Sequence, residues 1–316
     1  MPYTLRLISI EEKEDLAVRY AAQVRYEVKS EIYGCCIKLL TGDRDVKERW
    51  EENFFFISQS IRSHGRLYVL RDPAVPKDTV FYDPATRTAF LLNVTYYGWV
   101  KSLALSVAGD TLEDEHGIAS IHGACIDADG RGCCILGESG AGKTTQTYGL
   151  LRDPRVRVVA DDWSFARIFG GEVFAYGSEK NFYIRADLAT IWPEYVDLVT
   201  GADIDAEGRA VVDLRSVIGK GRILPMTTVR TVVLLHRDPA EPQKVAACSP
   251  GVALDALAAA GYYNPHLLVR TPFKDDLRRR FFAALLGLSR VYTVNTTGTP
   301  EETQGVLRGI VFGEGG

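Results

Sequence analysis

The sequence lacks the features that mark several large protein classes. No apolar run approaches the ~20 residues that a membrane-spanning helix needs. The opening stretch, MPYTLRLISIEEKEDL, has no basic-then-apolar targeting pattern, so the expectation is a soluble protein of the cytoplasm, without a membrane partner. Basic residues are not in excess. The 37 Lys and Arg face 41 Asp and Glu, for a net charge of −4, which argues against a chain built to coat nucleic acid. The six cysteines show no CxxC spacing, and Cys35 with Cys36 and Cys133 with Cys134 sit in apolar, strand-like runs. They read as reduced, buried thiols and not as a zinc site. Internal repeats and low-complexity tracts are absent. What remains is ordinary globular material: 316 residues, 46% hydrophobic and 25% charged, with room for two domains.

Residues 1–118 read as a mixed α/β section without a chemical motif. Ser9 with Glu12 forms a capping box, so a helix is expected from Ile10 into the low twenties. QVRYEVKSEIYGCCIKLL supplies one or two strands. RWEENFFFISQSIRSHG reads as a helix closed by Gly65, and YYGWVKSLALSVAG as a helix ending at Gly109. Between them RLYVL, TVFYD and TAFLLNV read as strands. From Ala119 the character changes. SIHGACIDADGRGCCILGE reads as a β-hairpin, Ile121–Asp127 and then Arg131–Leu136, around an Asp-Gly turn. After it come a glycine-rich loop, a helix from Lys143 to Leu151, a strand RVRVVA ending in two aspartates, and a hairpin RIFGGEVFAYG. VRTVVLLHRD follows as a buried strand, and three helices complete the chain, the last opened by Thr299-Pro300-Glu301-Glu302.

The glycine-rich loop carries the chemistry. GESGAGKTT, comprising Gly137, Glu138, Ser139, Gly140, Ala141, Gly142, Lys143, Thr144 and Thr145, satisfies the Walker A pattern. It follows apolar CCIL and precedes a helix, as the pattern requires. Glycines let backbone N–H groups wrap a phosphate, and the helix adds its positive end. Lys143 is then expected on the β- and γ-phosphates and Thr144 on a magnesium ion, which makes ATP and Mg2+ the expected cofactors. Asp161 and Asp162 close a Val/Ala-rich strand, at the end where open α/β sheets bind ligands. We expect Asp161 to hold the metal and Asp162 to act as the base.

The surroundings of the loop are more specific than the loop itself. His122-Gly123, Asp127, Gly130, Gly132, Gly137 to Thr144, and Val159 to Asp162 together resemble the catalytic domain of the HPr kinase/phosphorylases. Gly171-Glu172-Val173-Phe174, with the preceding Asp pair, is similar to a hairpin of the ATP-dependent phosphoenolpyruvate carboxykinases. The resemblance implies a P-loop, phosphoenolpyruvate-carboxykinase-like α/β nucleotide-binding fold over 119–316. It implies Asp162 as proton acceptor and His122 as the residue supporting it. It also implies a further metal carboxylate, for which Glu179 is the candidate, and a charge-neutralising arginine, for which Arg222 and Arg230 are candidates. A homo-oligomer is implied as well. The chain departs from HPr kinases in lacking their arginine-glycine-leucine-glycine and proline-glycine-arginine-asparagine loops, which counts against HPr itself as acceptor.

The expected activity is therefore Mg-ATP-dependent transfer of the γ-phosphate to a hydroxyl by direct in-line displacement. The acceptor is a protein or peptide seryl group or a small hydroxylated metabolite, with residues 1–118 helping to form its site. The alternatives are a carboxykinase-like decarboxylating phosphotransferase, a nucleotide-dependent regulatory or binding module, and an RNA kinase using Arg278, Arg279 and Arg280. The triplet His236-Arg237-Asp238 reads as a strand-end turn.

Overall fold

A computed structural model describes residues 3–185, 187–200, 202–204, 208–212 and 218–313. It is an α/β structure with mixed sheets. The chain divides into two compact units. The first holds Met1–Ile118 with Ser178–Lys180 and Pro265–Asp275, and the second holds the remainder.

The first unit contains β1 (Thr4–Leu7), α1 (Ile10–Tyr20), β2 (Tyr26–Ile32), β3 (Cys35–Thr41), α2 (Arg44–Asn53), β4 (Phe55–Phe56), β5 (Gly65–Leu70), β6 (Thr79–Asp83), β7 (Thr88–Leu92) and α3 (Tyr97–His116). Its seven-stranded sheet runs β1-β6-β7-β5-β3-β2-β4, with β3, β5 and β7 mutually parallel at the centre. The capping box of Ser9 and Glu12 forms as expected. Two helices differ from expectation. The helix expected to reach Gly65 instead starts under the Asp43 cap and stops at Asn53. Phe55 and Phe56 leave it to pair with Glu31 and Ser30 of β2, and Gly65 opens β5. α3 runs through Gly109 to His116 and stops at left-handed Gly117. It is buried along most of its length, and that burial outweighs the ~1 kcal/mol that a mid-helix glycine costs.

The second unit contains β8 (Ala119–His122), β9 (Ala124–Ala128), β10 (Arg131–Gly137), α4 (Lys143–Leu150), β11 (Val156–Ala160), β12 (Trp163–Phe169), β13 (Glu172–Gly177), β14 (Phe182–Arg185), α5 (Leu188–Ile191), α6 (Val196–Thr200), β15 (Asp203–Ile204), β16 (Arg209–Val212), β17 (Met226–His236), β18 (Val245–Ala247), α7 (Pro250–Ala259), α8 (Pro272–Gly287), β19 (Arg290–Asn295) and α9 (Pro300–Phe312). The first four residues of α8 are counted with the first unit. The large sheet runs β11-β9-β10-β17-β13-β12-β8. The long strand β17 takes β13 along its first half and β19, in parallel, along its second. β14, β16 and β15 form a small separate sheet. One core joins the sheet to α4, α5 and α9 through Ile126, Ile135, Tyr148, Trp192, Leu235 and Leu307.

The strand leading into the loop differs from the expected hairpin in one respect. Residues 121–127 do not form one strand. The chain breaks at Gly123, so only β9 pairs with β10, around the left-handed Asp129 and Gly130. β8 pairs with β12 instead, His122 opposite Trp163. A Cβ on residue 123 would lie 2.6 Å from the Ile135 carbonyl oxygen, so only glycine lets this junction lie against β10. Asp127 braces the hairpin by accepting from Gly130 N and from the Thr227 hydroxyl. Among the described residues no helix is long and apolar enough to cross a membrane.

Candidate active site

The loop 138–142 leaves β10, which lies between antiparallel β9 and parallel β17, and enters α4. Gly140 (φ 84°) and Gly142 (φ 92°) take left-handed conformations that side-chain-bearing residues rarely adopt. Gly142 is also the N-cap of α4, and no side chain caps that end. The first-turn N–H groups are thus left to solvent or an anion. Glu138, Ser139 and Gly140 are exposed, while Lys143, Thr144 and Thr145 are half-buried. The Lys143 ammonium folds back over the loop and donates to the carbonyls of Gly137 (2.6 Å) and Glu138 (3.0 Å). Burial lowers its pKa, against the opposing pull of the Asp162 and Glu138 carboxylates.

The helix under the loop is held from behind. The Trp192 indole donates to the Thr145 carbonyl (2.8 Å), the Tyr195 hydroxyl to that of Tyr148 (2.8 Å), and the Gln146 amide to that of Pro300 (3.2 Å). These bonds fix α4, and with it the direction of its first turn.

The β8–β12 pairing brings an imidazole to a carboxylate. Gly123 N donates to the Asp162 carbonyl (2.8 Å), and His122 Nε2 lies 3.5 Å from Asp162 Oδ1. The other imidazole nitrogen, Nδ1, is 2.7 Å from the Tyr263 carbonyl. A carbonyl only accepts, so Nδ1 carries a proton and donates it, and Nε2 is the nitrogen presented to Asp162. The Trp163 ring packs edge-on against the imidazole, with centroids 5.8 Å apart. Asp162 is one-third exposed by its side chain, whereas Asp161 is buried. The charge of Asp161 acts on the Tyr148 phenol of α4, while that of Asp162 acts on Lys143. Both aspartates therefore lie within electrostatic reach of the helix that follows the loop.

The Tyr263 carbonyl is a part of the site that the sequence reading missed. Gly261, Tyr262 and Tyr263 are left-handed in succession (φ 58°, 56° and 53°). This strained turn is anchored by Tyr262, whose ring stacks on Phe282 with centroids 4.6 Å apart. The phenol of Tyr263 has a raised pKa, chiefly from burial and secondarily from the charge of Glu138 in the loop. A backbone carbonyl has no signature in GYYN, so nothing in the sequence marked it.

The remaining candidates are engaged elsewhere. Arg222 directs its guanidinium to the carbonyls of Leu151 (2.6 Å), Asp153 (2.7 Å) and Val156 (2.7 Å), and burial lowers its pKa. Arg230 pairs with Glu172 across β17 and β13. Glu179 accepts from Lys101 (3.0 Å) and Asn53 (3.1 Å), all three in the first unit. Of the arginine triplet, Arg278 is buried, while the exposed Arg279 pairs with Asp255 (2.7 Å) and the exposed Arg280 with Asp276 (2.9 Å). His236 lies 2.6 Å from Glu241 at the end of β17, in keeping with a strand-end turn. Among the described residues no three His, Cys, Asp or Glu side chains cluster as a metal site.

No protein-family model and no curated protein sequence matches the chain. A search of solved structures returns the HPr(Ser) kinase/phosphatase from Coxiella burnetii, at 17% identity and a TM-score of 0.35, over 62% of this chain and 99% of that one.

Proposed function

We propose that the second unit is a nucleotide-dependent phosphotransferase site that moves a terminal phosphoryl group to a hydroxyl acceptor. The observation that carries this reading is the His122–Asp162 pair, 3.5 Å apart, with Asp162 in electrostatic reach of the P-loop lysine. A phosphate-sensing loop needs no accessible carboxylate backed by an imidazole, whereas a transferase needs a group that takes the proton of the attacking hydroxyl.

In this reading the N–H groups of residues 138–143 and the Lys143 ammonium hold the phosphates of ATP. Lys143 exchanges its two carbonyl partners for phosphate oxygens. The Thr144 hydroxyl and the Asp161 carboxylate would hold magnesium, a hard cation that takes oxygen donors. Magnesium neutralises charge on the phosphates when bound. Asp162 orients the acceptor hydroxyl and takes its proton as the oxygen attacks in line. The protonated Asp162 then donates to His122 Nε2, which is available because Nδ1–H is committed to Tyr263. Such a base contributes about 10²–10⁴-fold to rate. Glu179 is left out of the metal set, since Lys101 already neutralises it. Arg222 is left out of the charge-neutralising role, since its fork is filled by three carbonyls.

The test is a phosphate balance with γ-labelled ATP, magnesium and the purified protein, set against a small-molecule extract and, separately, a protein extract. Label in a new small compound or on a polypeptide supports transfer and identifies the acceptor class. Label that stays in ATP, or appears only as inorganic phosphate with both extracts, overturns it.

A further inference from the structure

The first unit carries a basic cleft that plays no part in the phosphotransfer proposed above. Its position follows from how the central sheet is covered. In the parallel register, Ile37, Leu39 and Thr41 of β3 align with Gly65, Leu67 and Val69 of β5. This face receives the helices that follow. A Cβ on Gly65 would meet Val107 of α3, and Trp50 of α2 donates to Ser30, which lies opposite Ile37. The alternate residues, Tyr68 and Leu70, face the other way and pack with Leu16 and Ala17 of α1. α1 therefore covers one face of the sheet, and α2 and α3 cover the other. At the carboxyl ends of β3 and β5 the segment after α1 arrives on one side while the chain departs into α2 on the other. A crevice at the carboxyl ends of parallel strands, between helices on opposite faces, is where open α/β sheets bind small molecules.

That crevice is a cavity of about 500 Å³, lined among others by Arg25, Arg44, Arg71, Gln23, Asp43 and Val69. The volume suits a metabolite. Three arginines line it against one acidic lining residue, Asp43, and that carboxylate is already engaged. Asp43 caps α2 by accepting from Asp45 N (3.0 Å) and Val46 N, and its other oxygen is 3.5 Å from Arg71. Arg44 shares Glu48 on the helix surface (2.7 Å). Arg25 has no ion pair among the described residues. Because Asp43 occupies the N-terminal end of α2, the positive charge of the cleft comes from the arginine side chains and not from the helix.

We propose that this cleft binds a small molecule through an oxyanion group, phosphate or carboxylate, held by Arg25, Arg44 and Arg71 at the ends of β3 and β5. Planar guanidinium groups recognise either oxyanion by paired hydrogen bonds.

The experiment is calorimetric titration of the full chain with inorganic pyrophosphate and, separately, with succinate. It is run on the wild type, on an Arg25→Gln/Arg71→Gln double variant, and on Lys143→Ala, in which the P-loop is disabled. All three arginines are exposed, so the double variant should keep the thermal midpoint of the wild type. The expected result is binding of at least one probe that weakens about tenfold or more in the double variant and persists in Lys143→Ala. Tight binding of pyrophosphate alone identifies a phosphate site, and of succinate alone a carboxylate site. Binding lost only in Lys143→Ala, binding unchanged in the double variant, or no binding of either probe overturns the proposal.

Discussion

Lys143 illustrates how far one residue can be read from its place in a motif. The Walker spacing predicts a phosphate-binding role for it but says nothing of its environment. The structure buries the amine against two carbonyls, and burial lowers its pKa. In the proposed role the charged form binds phosphate, and that form is lost as pH rises through the lowered value. Affinity for a non-hydrolysable ATP analogue should therefore fall on the alkaline side before the ~10.4 at which a free lysine titrates. Titrations at a series of pH values check this, and affinity flat up to that point contradicts it. His122 and Asp162 are brought together, because strand pairing placed one opposite the neighbour of the other. Arg222, Arg230 and Glu179 find their partners elsewhere, and a resemblance in spacing says nothing of where a guanidinium or carboxylate is bound.

Helices and strands with local signals were legible, and those decided by tertiary contact were not. The boxes at Ser9 and Thr299 form because cap and glutamate act within one turn. The true start of α2 is also local, the Asp43 cap, yet the apolar run Phe54 to Ile57 masked its end. The break at Gly123 depends on a carbonyl of β10 that only the fold supplies. Gly123→Ala should force β8 away from β10, cost about 1–3 kcal/mol, and lower turnover by moving His122; denaturant unfolding and steady-state rates measure the two effects. A second element-level device is Asp153, which ties the entry of β11 to α9 by accepting from Arg155 (2.9 Å) and Arg308 (2.8 Å). Hydrogen bonds from Arg155 lead the effects that hold its carboxyl well below the usual range. A depressed carboxylate stabilises above its unfolded pKa of about 3.9 and loses that contribution as pH falls past it. Asp153→Asn should thus be less stable than wild type at neutral pH, with the gap closing below pH ~4 in thermal melts.

At the scale of the molecule, the first unit is assembled from three stretches of chain, and the last of them carries a buried cation. Lys274, 4% exposed, reaches Asp110 (2.6 Å), Glu113 (3.2 Å) and Asp114 (2.5 Å) of α3, while Arg87 meets Asp110 from the other side (3.1 Å). Removing one partner of such a buried group leaves the others uncompensated, so Lys274→Met should lower stability by about 3–5 kcal/mol. A loss under 1 kcal/mol in urea unfolding would contradict that view of the network. No feature of residues 1–118 announced this partner, because a cation more than a hundred residues away leaves no periodicity behind. The character of the second unit, in contrast, was concentrated in the stretch from His122 to Asp162, where loop, hairpin and aspartate pair lie in consecutive elements.

Asp162 is the proposed proton acceptor of the phosphotransfer site. The most direct test compares wild type with Asp162→Asn, measuring the dissociation constant for Mg-ATP and the single-turnover loss of the γ-phosphate to its acceptor. The substitution keeps the shape and removes the charge, so affinity should stay within a few-fold while transfer falls about 10²–10⁴-fold. Transfer that survives in Asp162→Asn, or nucleotide affinity that collapses with it, would contradict the assignment.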